Sequence, residues 1–456
     1  MSRLVVVATV NQTPTPDELE VLDDVAVVVD EGEIVAVLAA DDPDRMAAME
    51  SAAEIVIVDP PAVLVPGFVD LHLHAPQWPQ LGSALDVSLE EWLFRHTFPL
   101  EARYADTAFA VGVWESLVDG LLAQGTTSAV MYGTVHEEAT LALARICAER
   151  GLRAFVGRVA MDHPEGTPEW YRDASASDSV AASHRSIEAI RALDDGRSLV
   201  HPIVTPRFAP ACSDAALEGL GELAASTGTL VQTHCSESDW EHGYAFERFG
   251  VSDAAVLDRF GLVREGTVLA HGDHLGDGDL DLIRARAAGV AHCPLSNAYF
   301  ADAVFPVRHA LDRGVRIGLG TDIAGGFEPS VLRQCAAAVT VSRLLESGVD
   351  PAVPSAARGR PRSRIDTTTA FWLATVGGAE VLGLPVGLLA PGRRFDAVVL
   401  DPSSPSSSIT TWDGLDLDDD ARRFERLVRL GSRADIARVW VDGRAVVAEG
   451  TVLRSR

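Results

Sequence analysis

The sequence predicts an α/β protein, a (β/α)8 TIM barrel carrying a small β-sandwich domain built from both chain ends. Three observations predict it. Eight short apolar stretches rich in β-branched residues alternate with helical stretches over about 250 residues, the texture of parallel βα units. Valine- and isoleucine-rich segments separated by turn residues fill the N-terminal part and return near the C-terminus. Five of the eight apolar stretches also end in histidine or aspartate, and in this barrel class the active site forms at the C-terminal ends of the strands.

Residues 1 to about 62 read as short strands and hairpins at Leu4 to Val10, Val25 to Asp30, Glu33 to Leu38 and Ile55 to Asp59, with Glu31-Gly32-Glu33 as a turn. Barrel strands are predicted at Val63 to His74, Thr126 to Gly133, Arg153 to Val159, Leu199 to Pro206, Leu230 to Glu237, Val268 to Gly272, Val290 to Pro294 and Arg316 to Asp322. The intervening helices include Thr107 to Gln124, Glu137 to Arg150, Asp178 to Leu193, Asp214 to Ser226, Asp279 to Ala288 and Val304 to Arg313. Beyond them, Pro351 to Arg364 is a Pro/Arg/Ala-rich connection and Thr367 to Leu382 a packing helix. Strand signals return at Arg394 to Leu400 and Val439 to Val447, whereas Pro402 to Ser408 and Asp416 to Asp420 read as solvated loops. The division expected is 1–65 and 386–456 for the β domain and 66–385 for the barrel.

Composition narrows the partners. With 456 residues and 47% hydrophobic content the chain can bury a large core. No apolar run approaches the ~20 residues that cross a bilayer, and Met1 is followed by neither a basic nor a secretory apolar segment, so a cytoplasmic location is expected. A net charge of −28 would repel phosphate backbones and anionic lipid, which excludes nucleic-acid and membrane partners and leaves a small, free substrate. Five cysteines lie far apart with no Cys-x-x-Cys pair and read as buried free thiols. All 38 basic residues are arginine, because the chain contains no lysine.

The chemistry concentrates at the strand ends. His72 and His74 stand at i and i+2 of a strand and so share one face, and imidazole is the commonest side-chain ligand for a transition metal. His234, His271 and Asp322 close three further strands, so five nitrogen and oxygen donors are expected to form one site. His292 closes another strand and is expected to make a structural hydrogen bond.

This pattern of His-x-His after strand 1, histidines after strands 5 and 6 and aspartate after strand 8 resembles the amidohydrolase superfamily over nearly the whole chain. Binuclear members usually carry a bridging carbamylated lysine; without lysine, the resemblance implies a mononuclear site held by His72, His74, His234 and Asp322, with His271 close by. One Zn²⁺ per chain suits such a nitrogen- and oxygen-rich set, with Fe²⁺ as the alternative. Mononuclear members are predominantly deaminases. Glu237, three positions after His234, is the implied proton shuttle, with Asp322 as proton acceptor and His271 as orienting group.

Within that superfamily the chain is similar to guanine deaminases. The residues that carry the likeness are His72-Leu73-His74-Ala75-Pro76-Gln77-Trp78, Glu91-Trp92-Leu93, Thr97-Phe98-Pro99-Leu100-Glu101, Arg153 to Gly157, Met161-Asp162, Pro202 to Phe208, His292-Cys293-Pro294 with Ser296-Asn297, and Gly318 to Gly326. The resemblance implies hydrolysis of guanine to xanthine and ammonia, a homodimer, and a purine pocket lined by Gln77, Arg207 and Phe208, with Trp78 stacking on the ring. Ser238 to Tyr244 and Ala298 to Ala303 depart from the family pattern and bear on the breadth of specificity. The alternatives are an aminohydrolase for another purine, a pterin or a triazine and, from a different class, a non-catalytic scaffold, which would tolerate loss of ligands retained here.

Overall fold

A computed structural model describes residues 3–410 and 419–454. The N-terminal part contributes β1 (Leu4–Thr15), β2 (Glu18–Asp30), β3 (Glu33–Leu38), β4 (Glu54–Ile57) and β5 (Val63–Pro66). Parallel strands follow: β6 (Phe68–His74), β7 (Thr126–Tyr132), β8 (Arg153–Gly157), the two-residue β9 (Val159–Ala160), β10 (Val200–Pro206), β11 (Leu230–Cys235), β12 (Val268–His271), β13 (Gly289–His292) and β14 (Arg316–Leu319). The C-terminal part adds β15 (Ala397–Leu400), β16 (Ile436–Val441), β17 (Arg444–Ala448) and β18 (Thr451–Val452).

Strands β6 to β14 form the barrel in the order of the chain, with β9 an appendage on β10. All eight expected barrel strands are present. Helices pack between them where expected: Glu137–Arg150 coincides with its expected bounds, and Thr107–Ala123, Ala176–Arg191 and Asp214–Thr227 differ by a residue or two at their ends. Local chemistry sets these ends. Asp106 accepts the backbone N–H groups of Ala108 and Phe109 at the start of Thr107–Ala123, and Gly151, at φ 77°, closes Glu137–Arg150 in the left-handed conformation that glycine adopts without steric cost. The expected packing helix Thr367 to Leu382 contains a π turn at Leu373–Gly377 between two α-helical pieces.

Both chain ends join in a second, mixed sheet of nine strands, ordered β18-β17-β16-β15-β5-β1-β2-β3 with β4 beside β1. One expected boundary is corrected. Val63 to His74 is not a single barrel strand, because Val63–Pro66 pairs antiparallel with Ala397–Leu400 in the terminal sheet and the chain passes through Gly67 into the barrel. Loop expectations hold at Pro402 to Ser408; Asp416 to Asp418 lie outside the described residues, and Asp419 caps the helix Asp420–Leu430. The five cysteines are buried and unpaired by disulfides. No helix among the described residues is long and apolar enough to cross a membrane.

A buried ion pair ties the sheet to the barrel. Arg153 on β8 donates through Nε and Nη2 to Asp396, at 3.3 and 3.2 Å, and the same carboxylate accepts the Asp442 N–H at 2.8 Å. Both side chains are almost fully buried. Removing one partner of such a pair strands the other charge in a low-dielectric interior, which costs about 3–5 kcal/mol. Asp396→Ala is therefore expected to lower unfolding stability by that order in chemical denaturation, and Asp396→Asn by clearly less.

Candidate active site

Four imidazoles and several carboxylates converge at the C-terminal end of the barrel. His74 Nε2 lies 3.0 Å from His234 Nε2, and Asp322 Oδ1 lies 3.1 Å from His72 Nε2 and 3.5 Å from His74 Nε2. The ring of His271 stacks on that of His234 with centroids 5.4 Å apart, and its Nε2 is 3.8 Å from Glu237 Oε1. The sets His72/His74/His234, His72/His271/Asp322 and His234/Glu237/His271 each hold their donor atoms within 4.8 Å of one another. All five expected ligands are thus brought together.

Their hydrogen bonds determine which nitrogens are available. His234 Nδ1 donates to the Arg207 carbonyl at 2.6 Å, so Nε2 presents its lone pair to the site. His271 Nδ1 pairs with Asn297 Oδ1 at 2.9 Å, and Asn297 Nδ2 in turn donates to Asp273. His72 Nε2 and His271 Nε2 are buried without any hydrogen-bond partner. Buried lone pairs facing one another and a carboxylate are unfavourable unless a cation sits among them, so the donor set fits a divalent metal. Burial first, and then nearby cationic groups, hold His72, His74 and His234 well below the ordinary imidazole range; burial lowers His271 as well. Neutral imidazole is the form that binds metal.

The backbone is shaped to aim these groups. His271 and Asp322 leave their strands at φ 75° and 47°, a region disfavoured for residues with a Cβ, and such strain clusters at functional sites. Asp70 was not foreseen from the sequence. Its buried carboxylate accepts the N–H groups of His72 (3.2 Å) and Thr321 (3.0 Å) and the Thr321 hydroxyl (2.6 Å), fastening the first barrel strand to the last. Glu241 Oε2 accepts the Glu237 N–H at 2.7 Å and Asp253 accepts the Ser236 N–H at 2.8 Å, fixing the turn that carries Glu237.

Beside the histidines lies a cavity lined by His74, Gln77, Arg207, Phe208, His234, Glu237 and Asp322, with Leu89, Trp92, Leu93, Phe300 and Gly325 completing the walls. Burial, reinforced by the Asp322 charge, raises the Glu237 carboxyl well above its usual range, although Arg207 opposes the shift. Gln77 and Arg207 are held by a residue the sequence did not single out as functional. Glu101, completely buried, accepts Arg207 Nη1 and Nη2 at 2.6 and 3.1 Å and Gln77 Nε2 at 3.0 Å, while Gln77 Oε1 accepts the Ala324 N–H at 3.1 Å.

Two expectations are corrected here. Trp78 does not present its ring to a ligand: its indole N–H donates to Ser116 and its six-membered ring packs over Gly120, both on the helix Thr107–Ala123. His292 makes no structural hydrogen bond, since neither ring nitrogen has a partner. The apolar walls come instead from irregular segments. Leu93 and Phe300 belong to single π turns, Leu93–Thr97 and Asn297–Ala301, the kind of helix insertion that recurs at functional sites. Phe300 comes from one segment that departs from the family pattern; from the other, Trp240 packs on Phe208 with ring centroids 5.6 Å apart.

Residues 63–446 match the amidohydrolase family. The chain belongs to that family. This amidohydrolase is 37% identical to a probable guanine deaminase of Schizosaccharomyces pombe over 95% of its own length and 81% of the relative's. It is 35% identical to the guanine deaminase of Homo sapiens over 84% of this chain and 82% of the human one. Among solved structures it superposes on the guanine deaminase of C. acetobutylicum with bound guanine in the active site, with a TM-score of 0.86, 29% identity and coverage of 98% and 100% of the two chains.

Partners that orient metal ligands typically account for about 10- to 100-fold in metal affinity. Asp70→Ala in this amidohydrolase should weaken metal binding by that factor in a chelator competition. Asp70→Asn, which keeps an acceptor for the two N–H groups, should lose far less.

Proposed function

We propose that this amidohydrolase is a guanine deaminase that converts guanine and water to xanthine and ammonia. One observation carries the reading: a single cavity is lined at once by the converging histidines and Asp322, by the buried carboxyl of Glu237 and by Gln77 and Arg207. The resemblance to guanine deaminases over most of the chain supports it. His72, His74, His234 and Asp322 would hold one metal, zinc in our reading, with His271 beside it. When bound, such a metal supplies a water activated near neutral pH. Because the chain has no lysine, it cannot supply a carbamylated-lysine bridge for a second metal.

The chain's own groups do the remaining work. Arg207 reads guanine O6, and its pairing with Glu101 prevents the guanidinium from turning away. Gln77, fixed at both ends of its amide, presents its remaining N–H to the same edge. Phe208 covers a face of the ring. Glu237, whose carboxyl burial raises well above its usual range, delivers a proton to guanine N3 as C2 is attacked, then takes up the proton of the new C2 hydroxyl and carries it to the departing 2-amino group. Asp322 takes the proton released by the attacking water and returns it to Glu237, and His271 orients that water. In this reading the protein is a cytoplasmic homodimer whose units are 1–65 with 386–456 and 66–385.

General acid-base groups contribute roughly 10²- to 10⁴-fold. Glu237→Gln should lose turnover by at least that order while keeping its metal. Arg207→Lys retains a cation for Glu101 but loses the planar fork, so the guanine KM should rise about ten-fold or more with metal content unchanged. Ammonia release from a panel of guanine, adenine, cytosine and pterins tests the function itself. Adenine has no O6 acceptor and carries its amine at C6, so preference for guanine by about 10⁴ or more is expected. Equal turnover of adenine or a pterin would withdraw the guanine assignment and leave an aminohydrolase of another substrate.

A further inference from the structure

Among the described side chains that line the cavity, two nitrogens are buried without a hydrogen-bond partner: His74 Nδ1 and Trp92 Nε1. The first lies on an imidazole whose Nε2 faces the other histidines. The second cannot bind a metal, because an indole nitrogen only donates. Trp92 is 3% exposed, so water does not relieve its N–H from outside, and an unpaired buried donor is costly enough that native structures rarely keep one. Its position is well defined. Ser88 caps the short helix Leu89–Trp92 by accepting the Glu91 N–H, and the Trp92 ring packs on Phe300 with centroids 5.1 Å apart.

We propose that Trp92 is a substrate-binding residue whose indole N–H donates to N7 of the purine, a contact that rests on the guanine reading above. The orientation follows from the groups already placed. With C2 at the metal-binding histidines and Asp322, and N3 toward Glu237, the five-membered ring points away from the histidines toward the loops that close the cavity. Gln77, Trp92 and Glu101, the last of which holds Arg207, all lie in the single connection between β6 and β7, so the O6 edge faces that connection. N7 is the acceptor next to O6 on this edge. Arg207 spends one N–H of each terminal nitrogen on Glu101 and is held at O6, and Gln77 has a single N–H left for the same edge, so Trp92 is the further donor available to N7. The other loop residues of the wall, Leu89, Leu93 and Phe300, have no side-chain donor. Trp92 thus distinguishes a purine from ring systems that carry a C–H at this place.

The test compares guanine with 7-deazaguanine, in which N7 is replaced by C–H, on the wild-type holoenzyme and on Trp92→Phe. Guanine turnover by the wild type is measured first; its absence would remove the guanine reading and this contact with it. Given that turnover, 7-deazaguanine should bind the wild type roughly ten-fold more weakly than guanine, the size of one hydrogen bond. In Trp92→Phe the guanine KM should rise about ten-fold with little change in kcat, while the inhibition constant of 7-deazaguanine stays within two-fold of its wild-type value. Equal losses for both ligands, or none for either, would reduce Trp92 to a packing residue. Should Trp92→Phe not fold, the wild-type comparison decides alone: equal binding of the two bases overturns the contact.

Discussion

The site depends on how the barrel closes. Its strands are laddered from β6 round to β14, and at the C-terminal end the first and last are fastened by a small set of bonds. The Asp322 N–H donates to the His72 carbonyl and the His74 N–H to the Ile323 carbonyl, each at 2.8 Å, while the Asp70 carboxylate bonds both His72 and Thr321. Close approach is possible because residue 320 is glycine, where a Cβ would stand 2.8 Å from Cys293 Sγ and 2.9 Å from His72 Cβ. His72, His74 and Asp322 converge on one point only while this seam holds. The candidate metal-binding set is thus a consequence of barrel closure, and a bound metal would reinforce the same seam.

A second buried carboxylate organises the polar side of the cavity. Glu101 holds Arg207 and Gln77 together, so these two polar groups are fixed before any ligand enters. Preorganisation of this kind reduces the cost of binding and keeps donors aimed where acceptors must arrive. Around this rigid edge the walls are apolar and come from the loops after β6 and β13, where π turns carry Leu93 and Phe300.

How much of this was legible in the sequence follows from the range over which each signal acts. Barrel strands were readable because apolar, β-branched runs are bounded locally by turns and caps, and the convergence of His72, His74, His234, His271 and Asp322 because each stands at the end of such a run. The break at Gly67 was not, since both of its sides are apolar and only pairing with Ala397–Leu400, more than 300 residues away, assigns Val63–Pro66 to the other sheet. Asp70 and Glu101 were missed as working residues for a related reason: a carboxylate in or beside an apolar run gives no sign of partners 251 and 106 residues distant. The only hint was that a charge in such a setting must be paired if buried. Trp78 misled because an aromatic ring in that motif is able to stack on a purine, whereas the indole packs on a helix.

Metal titration of the apoprotein, with ammonia release from guanine as the signal, tests the central claim most directly. Activity should be absent without metal, rise linearly with added Zn²⁺ and saturate at one equivalent per chain. Saturation at two equivalents, or full guanine turnover by metal-free protein, would contradict it.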